Sequence, residues 1–84
     1  MGRISASELC RKLKSEAIAR QDTSAANNLR LRILDYFITR NVPDDTFGEV
    51  LKGRLNDPDP AKEQSKVICA DILEAWQTRR DESL

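Results

Sequence analysis

Histidine is absent from this 84-residue chain, which removes the commonest general base and the commonest neutral metal ligand together. Carboxylates, thiols and guanidinium groups remain for any chemistry. The carboxylates gather at Asp44-Asp45 and at Asp57 with Asp59, and either group offers oxygen to a hard cation, which needs several such ligands at short range. Both groups also stand where helices should begin, and a capping role accounts for them, so no metal ligand is assigned. Cys10 and Cys69 lack a CxxC partner and a neighbouring base to activate a thiolate. They fall on apolar helical faces and read as two small buried hydrophobes in a reducing compartment. The glycines, Gly2, Gly48 and Gly53, form no phosphate-binding loop. No catalytic residue, metal or cofactor is expected, and an enzyme would need a pocket gathering carboxylates from the helix starts.

The remaining chemistry is electrostatic. Fourteen basic residues balance fourteen acidic ones, but unevenly. Residues 1–42 carry eight basic against four acidic side chains and the remainder six against ten, so the halves stand at +4 and −4. Such a split either marks a basic docking face or lets the two halves attract each other. Arg11, Lys12 and Lys14 on a first helix, with Arg30 and Arg32 on a second, would make one positive surface if those helices pack antiparallel. Polyanion binding needs clustered cations of this kind, although exposed aromatics or a known RNA-binding pattern are not evident.

The elements that must position these groups are helical. Ser5-Ala6-Ser7-Glu8 is a capping box, in which the Ser5 hydroxyl takes the Glu8 N–H and the Glu8 carboxylate returns to the Ser5 N–H. Ile4 and Leu9 sit at the staple positions, and Leu9, Cys10, Leu13 and Ala17 follow helical spacing to about Arg20. Thr23 or Ser24 caps a second helix over Ser24 to Thr39, the densest apolar stretch in the chain. Leu29, Ile33, Tyr36 and Phe37 form one face, widened by Leu34 and Ile38. The alternation Leu29-Arg30-Leu31-Arg32-Ile33 suggests a strand, but it breaks at Ile33-Leu34 and no partner strand exists. Val42-Pro43 ends this helix.

Pro43-Asp44-Asp45-Thr46 opens a third helix, to Leu55, with its acidic pair at the positive end of the dipole. Its glycines either admit a close neighbour or are merely tolerated, at about 1 kcal/mol each against alanine. Asp59-Pro60 caps a fourth helix running to about Arg79, with Arg79 and Arg80 suited to its carbonyl end. A helix-turn-helix formed by the last two helices would present an acidic recognition helix at Asp71 and Glu74, which phosphate would repel.

The expected fold is all-α: one compact four-helix bundle, a single domain over residues 1–84 with fraying at 1–4 and 81–84. The second helix should be central and wrapped by the other three. Leu9, Leu13, Leu29, Ile33, Phe37, Phe47, Val50, Leu51, Ile68, Ile72 and Trp76 should form the core. No secretory, myristoylation or membrane-spanning pattern is visible, so a cytoplasmic location is the default.

The run Arg11 to Asp22, followed by Asn28 to Leu34, resembles the opening helical hairpin of the YqeY-like family. That family is related to the tail domain of the amidotransferase B subunit. Leu13-Lys14-Ser15-Glu16 matches its first element, Arg20-Gln21-Asp22 approximates its turn, and Leu29-Arg30-Leu31-Arg32 partly matches its second helix. Pro43 to Leu51 is similar to the start of its third helix, but the Lys-Gln-Arg pattern that follows there is not reproduced. The resemblance ends near Leu55 and implies a non-catalytic helical domain associated with tRNA or a tRNA-handling partner.

Two functions from different classes follow. One is a protein-interaction module, an adaptor or regulator, which binds another protein or its own copy through an apolar patch at Leu31, Leu34 and Ile38, because the second helix is apolar around more of its circumference than one packing face needs. The other is RNA or tRNA association through Arg11, Lys12, Lys14, Arg30 and Arg32. Neither involves a membrane or a small-molecule cofactor.

Overall fold

The computed structural model describes the backbone of residues 4–82 and the side chains of residues 4–78. Helix α1 spans Ala6–Ala19, α2 Ala25–Arg40, α3 Asp44–Leu55 and α4 Glu63–Glu82, with a 3-10 turn at Pro60–Lys62 leading into α4. No strand occurs among the described residues. The radius of gyration is 12.7 Å, against about 12 Å for a compact chain of this length. The all-α, four-helix expectation therefore holds, with boundaries within a few residues.

Local chemistry sets the helix ends. The Ser5 hydroxyl accepts the Glu8 N–H at 3.1 Å, as the capping box requires. The Glu8 carboxylate does not return to the backbone; it accepts the Ser5 hydroxyl proton at 3.2 Å. Ser24, rather than Thr23, caps α2 by accepting the Asn27 N–H, and the Asp22 carboxylate accepts the Ser24 N–H at 2.9 Å. That bond holds the Asp22 carboxyl below its usual range. Gln21 and Asn41 adopt left-handed backbone, with φ of 55° and 50°, and so turn the chain after α1 and α2. Asp59 accepts the Ala61 N–H, so the first turn expected of the fourth helix closes as 3-10 and the α-helix starts at Glu63.

Two expectations about the ends are corrected. Helix α4 continues through Glu82, past Arg79, since Arg79-Arg80-Asp81-Glu82 contains no helix breaker. Ile4, within the segment expected to fray, is half-buried and packs against the core. Fraying at residues 1–3 and 83–84 and the carbonyl-end role of Arg79 and Arg80 lie outside the described residues.

The packing order also differs from the expectation of a central α2. Helix α1 pairs chiefly with α2 and α3 with α4, while α2 touches α4 more lightly, so the bundle is two hairpins laid together. The short α1–α2 and α3–α4 connections bring the two helices of each hairpin together. One core cluster draws on all four helices: Ala6, Leu9 and Cys10 of α1, Ile33, Leu34 and Phe37 of α2, Phe47 and Leu51 of α3, and Ile68, Cys69, Ile72 and Trp76 of α4. Leu13, Leu29 and Val50, expected inside, are half-buried against it.

Three kinds of contact join the hairpins. An edge-to-face chain of rings runs from Phe37 to Phe47 at 5.1 Å and from Phe47 to Trp76 at 5.2 Å, a geometry that aligns ring edges with ring faces. The Asp44 carboxylate at the start of α3 accepts the Ala6 N–H at 2.9 Å. It thereby satisfies an orphan donor of α1 instead of capping α3, whose N-cap Pro43 makes no side-chain bond. Arg30 of α2 pairs with Asp71 of α4 at 2.9 Å, so part of the opposite charge of the two halves is spent on their mutual attraction.

Candidate interaction cleft

The surface opens in a cleft of about 300 Å³ where α2, the end of α3 and the start of α4 meet. Leu29, Arg32, Ile33 and Tyr36 line it from α2, and their spacing of three and four residues puts them on one stripe. Arg54 enters from the last turn of α3 and Ser65 from the first turns of α4. The position of Ser65 follows from the loop before it. There Asp57 accepts the Asp59 N–H and Asp59 accepts the Ala61 N–H, two Asx turns that fix where α4 begins.

Tyr36 is the hub of the cleft rim. The Arg40 guanidinium lies 4.8 Å from the ring centroid and that of Arg54 5.0 Å, within cation–π range. Arg54 also reaches the Phe37 ring at 5.7 Å. The phenol remains 40% exposed, which corrects its place on the expected buried face. The face it occupies is a mixed one, an aromatic between arginines.

The charges around this cleft are left open. Arg32, Arg40 and Arg54 have no carboxylate within ion-pair distance among the described residues. Elsewhere the interhelical cations are matched: Lys14 with Asp35 at 2.6 Å and Arg30 with Asp71 at 2.9 Å. Like charges gathered on one ring repel one another.

The residues expected to bind are partly dispersed. Leu34 is 0% exposed and belongs to the core, which corrects its assignment to an accessible patch. Ile38 is half-buried against the same core, and Leu31 is half-buried. The apolar surplus of α2 is thus largely absorbed by a second packing face. Of the five cations in the alternative surface, Lys14 and Arg30 are held in ion pairs, Arg11 is exposed and Lys12 half-buried on α1, and Arg32 faces the cleft. No residue of α1 lines that cleft, so Arg32 does not extend the α1 cations into one patch there.

The cysteines lie inside, with Cys10 1% and Cys69 0% exposed, and both are free thiols. Burial pushes the Cys10 thiol up to about 12 and raises that of Cys69, against a smaller opposing pull from Arg54. A second, smaller depression of about 120 Å³ is bordered by Asp44, Asp45, Glu49 and Trp76. One of its carboxylates, Asp44, is already committed to the Ala6 N–H, and no group of three metal-ligating side chains is found among the described residues. Also among them, no helix is long and apolar enough to cross a membrane.

Arg54, Ser65 and Tyr36 were not among the expected binding residues. The spacing Arg32, Tyr36, Arg40, four residues apart each time, was the available signal, because such neighbours meet on a helix surface. No family model, curated protein or solved structure matches the chain, and the resemblance to the YqeY-like family rests on the quoted residues alone.

Proposed function

We propose that this chain is a small non-catalytic interaction module that docks an acidic segment of another protein in the cleft between α2, α3 and α4. The observation that carries the reading is the pair Arg32 and Arg54, both without a carboxylate among the described residues, set over an apolar floor beside Tyr36. Guanidinium groups bind carboxylates through paired N–H bonds, and Leu29 supplies apolar contact for the rest of the bound side chain. A cleft of about 300 Å³ stands at the lower limit of ligand pockets, suiting one anchoring side chain better than a whole cofactor. Exposed charge pairs contribute little individually, so an affinity on the order of 10–100 µM is expected, as for transient adaptor contacts.

The alternative, RNA or tRNA association, draws on the family resemblance and on Arg11, Lys12, Lys14, Arg30 and Arg32. It is the weaker reading because Lys14 and Arg30 are already paired and the formal net charge is zero, whereas nucleic acid binding draws most of its affinity from unspent positive charge.

Fluorescence polarisation with a labelled peptide of alternating glutamate and leucine tests the proposal. Binding should weaken several-fold in Arg32→Ala and in Arg54→Ala, remain in Arg20→Ala, and fall with added salt. Equal affinity in all three variants refutes docking in the cleft. Binding of a single-stranded oligouridine but not of the peptide moves the function to RNA.

A further inference from the structure

We infer that the group recognised in the cleft is a phosphorylated serine or threonine side chain of the partner. The inference rests on the docking reading above and names what the acidic segment carries. Two guanidinium groups, Arg32 and Arg54, line the cleft, and the third, Arg40, stacks with Arg54 on the same tyrosine ring. One carboxylate, with a single charge and two oxygens, leaves most of this charge and most of these donors unanswered. A phosphomonoester carries nearly two negative charges at neutral pH and three acceptor oxygens, enough for two guanidinium forks and a hydroxyl at once.

Ser65 supplies that hydroxyl. It is half-buried on the cleft wall opposite the α2 stripe, and its side chain makes no hydrogen bond to the described residues. Its neighbour Lys66 is turned to Glu63 at 3.5 Å and so does not compete as the cleft's cation.

The apolar part of the cleft chooses among phosphorylated side chains. Leu29 is half-buried and Ile33 only 8% exposed, so the floor accommodates a β-carbon or a methyl group. An aryl phosphate would need a ring face, and the Tyr36 ring it would stack on already carries Arg40 and Arg54. With no free face on the Tyr36 ring to stack on, an aryl phosphate gains less here than phosphoserine or phosphothreonine.

Isothermal titration of the full chain tests this with one peptide of fixed sequence, prepared with phosphoserine, glutamate, serine or phosphotyrosine at its centre. The phosphoserine peptide should bind about tenfold or more tighter than the glutamate peptide, a difference typical of bidentate recognition of phosphate. Arg54→Lys and Arg32→Lys, which keep the charge and lose the planar fork, should erase most of that preference, while circular dichroism shows the fold intact. Ser65→Ala should reduce it by a smaller factor. Equal affinity for phosphoserine and glutamate peptides overturns the phosphate assignment and leaves acidic docking standing. Tighter binding of the phosphotyrosine peptide overturns the choice of side chain. No binding of any acidic or phosphorylated peptide removes both readings.

Discussion

Replacing Phe47 with leucine should loosen the joint between the two hairpins. Phe47 is 0% exposed and touches Phe37 on one side and Trp76 on the other at centroid distances of 5.1 and 5.2 Å. Leucine keeps an aliphatic body in the site but forfeits one or two methylene equivalents of burial, about 1 kcal/mol. It also removes two edge-to-face pairs, each worth roughly 0.5–1.5 kcal/mol beyond burial. The expected loss is therefore about 2–4 kcal/mol, from a total of roughly 4–13 kcal/mol for a chain of this length. That is large enough to measure and, over most of this range of total stability, small enough to leave a folded state, with the melting temperature lowered by about 10–25 °C. Urea unfolding followed by far-UV circular dichroism and by Trp76 fluorescence gives the assay. Both probes should move together in the wild type, because the ring chain ties α2 to α3 and α4. A loss below about 1 kcal/mol would refute the claim that the rings carry the joint, as would separate transitions for the two probes in the wild-type chain.

Four other outcomes are expected. Asp44→Ala should cost about 1–2 kcal/mol in urea unfolding because it unties the start of α1, while Asp45→Ala should cost only a few tenths through the helix dipole. Asn27 is 6% exposed and its amide donates to the Ala17 and Asp22 carbonyls, so Asn27→Ala should destabilise the α1–α2 turn by about 1–3 kcal/mol in the same measurement. Gly53 has open space where a Cβ would stand, and Gly53→Ala should raise stability by up to about 1 kcal/mol. At alkaline pH the unfolded Cys10 thiol ionises from its ordinary 9.0 while the folded one resists to about 12, so the unfolded state releases the proton first. Stability contributed by this burial is complete below pH 9.0 and declines up to about 12, and the decline should shrink in Cys10→Ala when urea midpoints are compared across that range.

Local rules carried most of the fold, and three-dimensional ones most of the cleft. Ser5, Ser24, Pro43 and Asp59 announce helix starts through side-chain chemistry or backbone geometry confined to one turn, and the helices begin at or within a few residues of them. The burial of Cys10 and Cys69 followed from helical spacing. Capping its own helix and capping a distant one need the same residue type at Asp44, and only the placing of the α3 start beside Ala6 decides which N–H it meets. Nothing local marks Asn27 as a buried residue, since a buried amide is recognised only when its carbonyl partners are in place. Leu34 and Ile38 look surplus in the sequence because periodicity counts apolar positions without telling how many neighbours a helix has, whereas in the fold both pack on the core. Arg32, Arg54 and Ser65 lie far apart in the chain, so their meeting is a property of the fold alone.

A Cβ on Gly48 would lie 3.9 Å from the Trp76 indole and one on Gly53 would meet nothing, so neither glycine is required for close approach. A methyl group at Gly48 would make ordinary van der Waals contact with the Trp76 indole, so alanine would preserve that packing.

The most direct test of the cleft follows the arginine side chains themselves, by recording 15N-edited Nε–H signals while the acidic peptide is added. The signals of Arg32 and Arg54 should shift in a saturable way while those of Arg11 and Arg20 stay still. Shifts confined to Arg11 and Arg20, with Arg32 and Arg54 unmoved at saturation, would contradict the account.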